Sequence, residues 1–281
     1  MADVKAADVA ALRKASGAGM MDCKKALAET DGDMEAAKDW LREKGLAGAS
    51  KRAGRAADQG AIDVLVDGSV GAVVEVTAET DFVAKSPDFT KAVSSLTRLA
   101  VSEGTDELGA AAYEGTTVAE FITQFASKVG ENVALGRVIV FETSDGLLDA
   151  YRHVQNDRGT IGVLVELGGV DRSNAKAQEI AHDIALHVAS AAPRYVSRDD
   201  VPADVVEKER GVLEALSRNE GKPEAALPKI IEGRLNGFFK DSCLLEQGFV
   251  REPKTTVAQL LASVGDGVTV RRFVRVKIGE E

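Results

Sequence analysis

Two cysteines, Cys23 and Cys243, are all that 281 residues contain. That is too few for a disulfide framework, and the simplest compartment for such a chain is the reducing cytoplasm. No run approaches the ~18 consecutive apolar residues a membrane-spanning helix needs. Met1-Ala2-Asp3-Val4-Lys5 has no apolar signal-peptide core. Aromatics are 5% of the residues, sparse for a base-stacking platform. Positive charge is also short: 35 Lys and Arg face 45 Asp and Glu, a net charge of −10. A phosphate-tracking surface is normally basic, so neither nucleic acid nor membrane is expected as a direct partner.

Motifs of chemistry are missing too. Of the three histidines, His182 and His187 stand five apart on a predicted helix, whereas a metal-binding pair on one face needs three or four. There is no GxxxxGK[ST] loop for nucleotide phosphates and no GxSxG elbow. Gly17-Ala18-Gly19-Met20-Met21-Asp22 begins like GxGxxG but lacks the third glycine and follows a helix rather than a strand. Carboxylates are plentiful yet fall into no acid/base pairing. These absences favour a binding protein over an enzyme, with no catalytic residue, cofactor or metal.

What is present is enough apolar material for a core, 44% of residues, and a length suited to about two domains. Residues 1–45 read as three short helices. Gly17 and Gly19 end the first, Met20 to Thr30 is the second, and Asp33 caps Met34 to Lys44 before a stop at Gly45. Leu12, Leu27, Trp40 and Leu41 would form their core. Residues 46–60 are small, basic and Gly-containing, and read as a linker with some helical character. Periodicity then turns from helical to alternating. Ile62–Val66 and Val70–Val76 flank Asp67-Gly68, a hairpin signal. Ser86-Pro87 opens a helix, and Thr117 with Glu120 forms a capping box. Strands are expected at Arg137–Thr143, Leu147–Val154 and Ile161–Leu167. Ser173 caps a long helix ending before Pro193. Gly71-Ala72-Val73-Val74-Glu75-Val76 is echoed by Gly162-Val163-Leu164-Val165-Glu166-Leu167, which suggests a duplicated hairpin-helix unit. Residues 203–218 and 223–240 form a polar helical hairpin with little apolar surface of its own. Val268 to Ile278 is a closing strand.

Two segments are far more specific. Gly17-Ala18-Gly19-Met20-Met21-Asp22-Cys23-Lys24-Lys25-Ala26-Leu27 closely resembles the N-terminal signature of the bacterial translation elongation factor Ts family, with Ser16 where the family usually has threonine. Thr80-Asp81-Phe82-Val83-Ala84-Lys85 resembles that family's second signature. The resemblance runs along essentially the whole chain. It implies an α+β fold: a three-helix ubiquitin-associated-like domain (1–45), a linker (46–60), and a core of two similar β-hairpin/helix subdomains (61–145 and 146–200). A protruding helical hairpin (201–242) and a C-terminal module (243–281) follow. It also implies a guanine-nucleotide exchange factor for elongation factor Tu, acting on the GDP-bound and nucleotide-free partner. Asp81 and Phe82 would meet the GTPase domain near its magnesium, with Thr80 and Val83 completing the tip. Gly19, Met20 and Met21 would dock on the same partner, and His153 stands where the family has a contacting histidine. The residues after it, Val154-Gln155-Asn156-Asp157-Arg158, depart from the family's shorter pattern and read as an insertion. From the residues alone, Phe82 could equally be core beneath the following helix together with Phe89, and Met20 and Met21 could be helix core. A module that merely holds elongation factor Tu is the alternative function.

Overall fold

The computed structural model describes residues 4–280. The first three residues of the expected N-terminal unit, and Glu281 of the expected C-terminal module, lie outside the described residues. The fold is mixed helix and sheet, α+β. No described helix is long and apolar enough to cross a membrane.

Three helices come first: α1 (Ala6–Ser16), α2 (Met20–Glu29) and α3 (Met34–Arg52). Asp33 caps α3 by accepting from the N–H groups of Glu35 and Ala36. Leu12, Leu27 and Leu41 are buried among them, with Trp40 half-buried against the cluster. The expected stop at Gly45 and the linker from residue 46 need correction, because α3 runs on through Arg52. Gly45 lies inside this helix, where a Cβ would come within 2.1 Å of Ser127 Oγ. Its missing side chain admits a neighbouring helix, and that packing offsets the roughly 1 kcal/mol a mid-helix glycine costs.

Then follow β1 (Gln59–Asp67), β2 (Val70–Ala78), the single turn α4 (Asp81–Ala84), α5 (Pro87–Glu103), the short β3 (Ala112–Tyr113) and β4 (Thr116–Thr117), α6 (Val118–Val129) and β5 (Val133–Glu142). The second half contains β6 (Leu147–Gln155), β7 (Arg158–Gly168), α7 (Ala175–Ala191), α8 (Ala203–Asn219), α9 (Leu227–Ser242), β8 (Gly248–Phe249), β9 (Glu252–Thr256), α10 (Val257–Ala262) and β10 (Thr269–Lys277). Two caps differ from expectation. Asn174, not Ser173, caps α7 by accepting from Ala177 N–H, while Ser173 bonds Asp171 instead. Thr117 caps α6, but the Glu120 carboxylate turns to the Thr116 hydroxyl, so the box does not close.

Two antiparallel three-stranded sheets, β1-β2-β5 and β6-β7-β10, lie face to face. Ile62, Val73, Phe141, Leu148, Leu164 and Val276 are buried between them. The outer face of the first sheet packs on α5 and α6, and that of the second on α7 and α10, giving a helix–sheet–sheet–helix stack. Gly71 and Gly162 occupy matching places at the inter-sheet contact. A Cβ on Gly162 would lie 2.6 Å from Ile62 Cγ2 and 2.7 Å from Val64 Cγ1. Glu75 and Glu166 match as well. Both are buried, and each takes an arginine from the third strand: Arg137 Nε lies 2.7 Å from Glu75, and Arg272 Nε 2.6 Å from Glu166. Helices α8 and α9 pack on each other through Leu227, Ile231 and Leu235, with Val206 and Leu213 against them.

His187, fully buried in α7, carries a pH prediction. Its Nδ1 accepts from Val250 N–H at 3.3 Å, and its Nε2 lies 2.9 Å from Gln247 Oε1. The ring is therefore neutral with its proton on Nε2; a second proton would face the Val250 donor. Burial pushes its pKa below the usual value, against the weaker upward pull of Gln247. Above the unfolded-state pKa of ~6.5 neither state is charged. Below it the unfolded chain takes up the proton first, so stability falls as the pH falls. The melting temperature of wild type should drop more steeply than that of His187→Gln between about pH 7.5 and 5.5. Parallel curves would contradict this.

Candidate functional site

The end of β2 leads directly into α4, and the chemistry of the intervening residues shapes that turn. Thr80 is extended (φ −121°, ψ 153°), and its Oγ1 accepts from Val83 N–H at 3.3 Å, capping the turn. Ser86 then caps α5, with Pro87 in its first turn. One helical turn between two caps must present some residues outward. Ala84 points inward and is buried, Val83 packs partly on the core of the first sheet, and Phe82 is 76% exposed. The two phenylalanines divide accordingly. Phe89 is buried edge-on against Phe125 at 5.8 Å between centroids, while Phe82 meets solvent.

Lys85 attends both tip residues. Its ammonium lies 2.9 Å from Asp81 Oδ2 and 4.6 Å from the Phe82 ring centroid. The hydrogen bond from Lys85 holds the Asp81 carboxyl below its ordinary range, so it is ionised at neutral pH. Gln59, Glu79 and Arg158 line the shallow groove beside Asp81 and Phe82. Arg158 is anchored there by donating to Gly60 O and Gln59 Oε1, both at 2.8 Å. It comes from the second sheet, and nothing local in the sequence marks it for this groove.

Gly19 is the N-cap of α2, and the two residues after it point outward: Met20 is 57% exposed and Met21 75%. Below them Cys23 is buried. The three helices lean on the core where α3 meets α6. Arg52 donates to Ala126 O at 3.4 Å, and Gly17 faces the Lys128 side chain.

His153 is exposed on β6, its Nδ1 3.3 Å from the Tyr151 hydroxyl. It belongs to a groove with Ile161, Leu186, Val250 and Arg251, apart from the Phe82 groove but on the same β6–β7 hairpin that carries Arg158. The five residues after His153 form no loop. Strand β6 continues to Gln155 and β7 begins at Arg158, leaving Asn156 (φ 52°) and Asp157 (φ 62°) as a two-residue turn. Both central residues in the left-handed region make the hairpin turn that matches strand twist, and Asn and Asp tolerate it best among residues with a side chain.

Thr80, Asp81, Phe82 and Val83 are thus brought together as one tip, whereas Gly19–Met21 and His153 lie on separate elements. Among the described residues no group of three or more His, Cys, Asp or Glu side chains could hold a metal ion.

Comparison with known proteins bears on the whole chain. The family model described as Elongation factor TS matches residues 79–280. A relative from Micrococcus luteus, Elongation factor Ts, is 45% identical over 284 aligned positions, covering 99% of this chain and 100% of the relative. Relatives of the same name from Mycobacterium avium and Thermobifida fusca are each 47% identical, with 100% of both chains covered. With that identity sustained from end to end, and with the Phe82 turn just inside the matched region, the chain belongs to the elongation factor Ts family.

Proposed function

We propose that this chain is a guanine-nucleotide exchange factor for elongation factor Tu, working in the cytoplasm during translation elongation by binding alone and without covalent chemistry. The observation that carries the reading is Phe82: a large aromatic side chain, 76% exposed, on a single turn held between its own Thr80 cap and the Ser86 cap of the next helix. An exposed aromatic of this kind gains free energy only when a partner receives it, and buried aromatic anchors dominate interface energetics. Phe82 enters an apolar slot of the GTPase domain and displaces packed side chains. Asp81, already ionised, competes for donors near the partner's magnesium and phosphate site. Thr80 and Val83 shape the tip. GDP loses contacts and leaves.

Residues 1–45, with the rest of α3, form the docking unit. Flexible methionines suit an adaptable contact, and exposed Met20 and Met21 beside Gly19 support that role. His153 adds a contact from the second sheet. Residues 61–145 and 146–200 are two similar subdomains, a reading supported by the matching strand orders and by the pairs Gly71/Gly162 and Glu75/Glu166. The helical hairpin (201–242) and the C-terminal module (243–281) complete the division.

Stopped-flow release of labelled GDP from elongation factor Tu tests the function. Acceleration by substoichiometric protein is expected, because an exchange factor turns over; a module that only holds its partner does not. Linkage adds a second check: GDP must weaken binding of this protein by the same factor by which this protein weakens GDP. Equal affinity for nucleotide-free and GDP-bound partner would remove the basis for exchange. The docking role has its own test. Replacing Met20 and Met21 together by serine should raise the half-saturating concentration roughly 5- to 30-fold with an unchanged melting temperature. An unaltered half-saturating concentration would refute it.

A further inference from the structure

Glu131 and Asn132 sit between Gly130, which ends α6, and Val133, which opens β5. They touch two segments remote from them in sequence. On one side, Glu131 Oε1 accepts from the Thr80 hydroxyl at 2.6 Å, and Oε2 accepts from Thr80 N–H at 3.0 Å. An ionised carboxylate can only accept. The Thr80 hydroxyl must therefore spend its hydrogen on Glu131, which leaves its lone pairs to cap Val83 N–H. Glu131 sets the direction of the cap on which the Phe82 turn depends.

On the other side, the Asn132 side-chain amide donates to Arg55 O at 2.7 Å and to Ala53 O at 3.4 Å, just beyond α3. Its backbone N–H donates to Glu79 Oε1 at 2.6 Å, and Arg55 Nη1 reaches the same carboxylate at 3.4 Å. One dipeptide thus joins the exit of the three N-terminal helices to the last residues before the Phe82 tip.

We propose that Glu131 is a positioning residue for nucleotide exchange: it fixes the Thr80 hydroxyl as a donor, so that the α4 turn is already formed and presents Phe82 before the partner arrives. Asn132 beside it ties that turn to the segment carrying the docking helices. The proposal rests on the reading of Phe82 as the wedge. Its physical basis is preorganisation: with docking carried by the N-terminal helices, a turn ordered in advance does not charge its ordering cost to the later step in which Phe82 enters the docked partner, so the cost would show in the maximal rate.

GDP release from elongation factor Tu, followed across exchange-factor concentrations, tests it with wild type, Glu131→Ala, Glu131→Gln, Phe82→Ala and the double variant Glu131→Ala/Phe82→Ala. Glu131→Ala should lower the maximal rate roughly 3- to 10-fold with little change in half-saturating concentration. Glu131→Gln keeps one acceptor oxygen and should fall between. In the Phe82→Ala background, removing Glu131 should cost nothing further, which a merely structural contact would not produce. A wild-type maximal rate for Glu131→Ala, a loss confined to the half-saturating concentration, or additive losses in the double variant would each overturn the proposal. If Glu131→Ala does not fold, Glu131→Gln carries the same cycle. A slow Phe82→Ala with a fast Glu131→Ala defeats this proposal alone; a fast Phe82→Ala defeats the wedge and this proposal with it.

Discussion

Replacing Phe82 by alanine should slow catalysed GDP release about 10- to 150-fold while the melting temperature stays where it was. The rate effect follows from losing an anchor worth roughly 1.4–3 kcal/mol, since each ~1.4 kcal/mol is tenfold. The unchanged stability follows from position. The ring is exposed, its notable partner is the Lys85 ammonium 4.6 Å away, and an exposed cation–π contact contributes only about 0.5–1 kcal/mol. Asp81→Ala should act in the same direction, and the double variant should lose less than the sum if the two residues work as one unit. A marked drop in melting temperature would make Phe82 a packing residue after all. Full activity with full stability would dispose of the wedge equally.

The second large effect belongs to the scaffold. Gly162→Ala should lower the melting temperature by about 2–10 °C, from overpacking of roughly 1–3 kcal/mol. The new methyl would stand 2.6 Å from Ile62 Cγ2, 2.7 Å from Val64 Cγ1 and 3.0 Å from Val73 Cγ1. All three are stiff, β-branched neighbours on the facing sheet. Gly265→Ala is the control, because nothing lies within 4 Å of its Cβ position. Equal melting of the two variants would mean that the sheets can separate freely at Gly162.

These two positions also mark how far the sequence could be read. Local chemistry was legible: the Asp33 and Ser86 caps act on N–H groups two or three residues away, and nothing distant competes with them. Where two capping residues stand side by side, as at Ser173 and Asn174, composition does not choose; the Asp171 side chain does, by engaging Ser173. The end of α3 lies beyond the expected stop because alanine, glycine, serine and lysine suit a linker as well as a helix, and the close approach of α6 at Gly45 and Arg52 is a tertiary contact that composition does not reveal. Phe82 was conspicuous through its motif, yet the residues alone leave its exposure open, since it could equally have been core together with Phe89 of α5. Glu131 and Arg158 were invisible as parts of the tip: Glu131 reaches Thr80 across 51 residues of chain, and Arg158 lines the groove from the other sheet, held by Gly60, 98 residues away in sequence. The β2–β5 pairing brings Glu131 there and the packing of one sheet on the other brings Arg158, and no spacing rule encodes either.

The strand order of the second sheet carries a consequence for how the molecule is made. β7 ends at Gly168, and its partner β10 begins only at Thr269, so the ribosome must synthesise α7 through α10 before that sheet can close. Until then Glu166, destined for burial, lacks Arg271 and Arg272, and Arg137 lacks the Lys277 carbonyl it bonds at 2.7 Å. The three N-terminal helices and the first sheet can assemble on the emerging chain, as N-terminal units generally do. The second half waits for a late, long-range pairing, the slow kind of step. Folding of this chain therefore completes after synthesis of β10, and a nascent chain halted before Thr269 leaves an open β7 edge for chaperones or for aggregation.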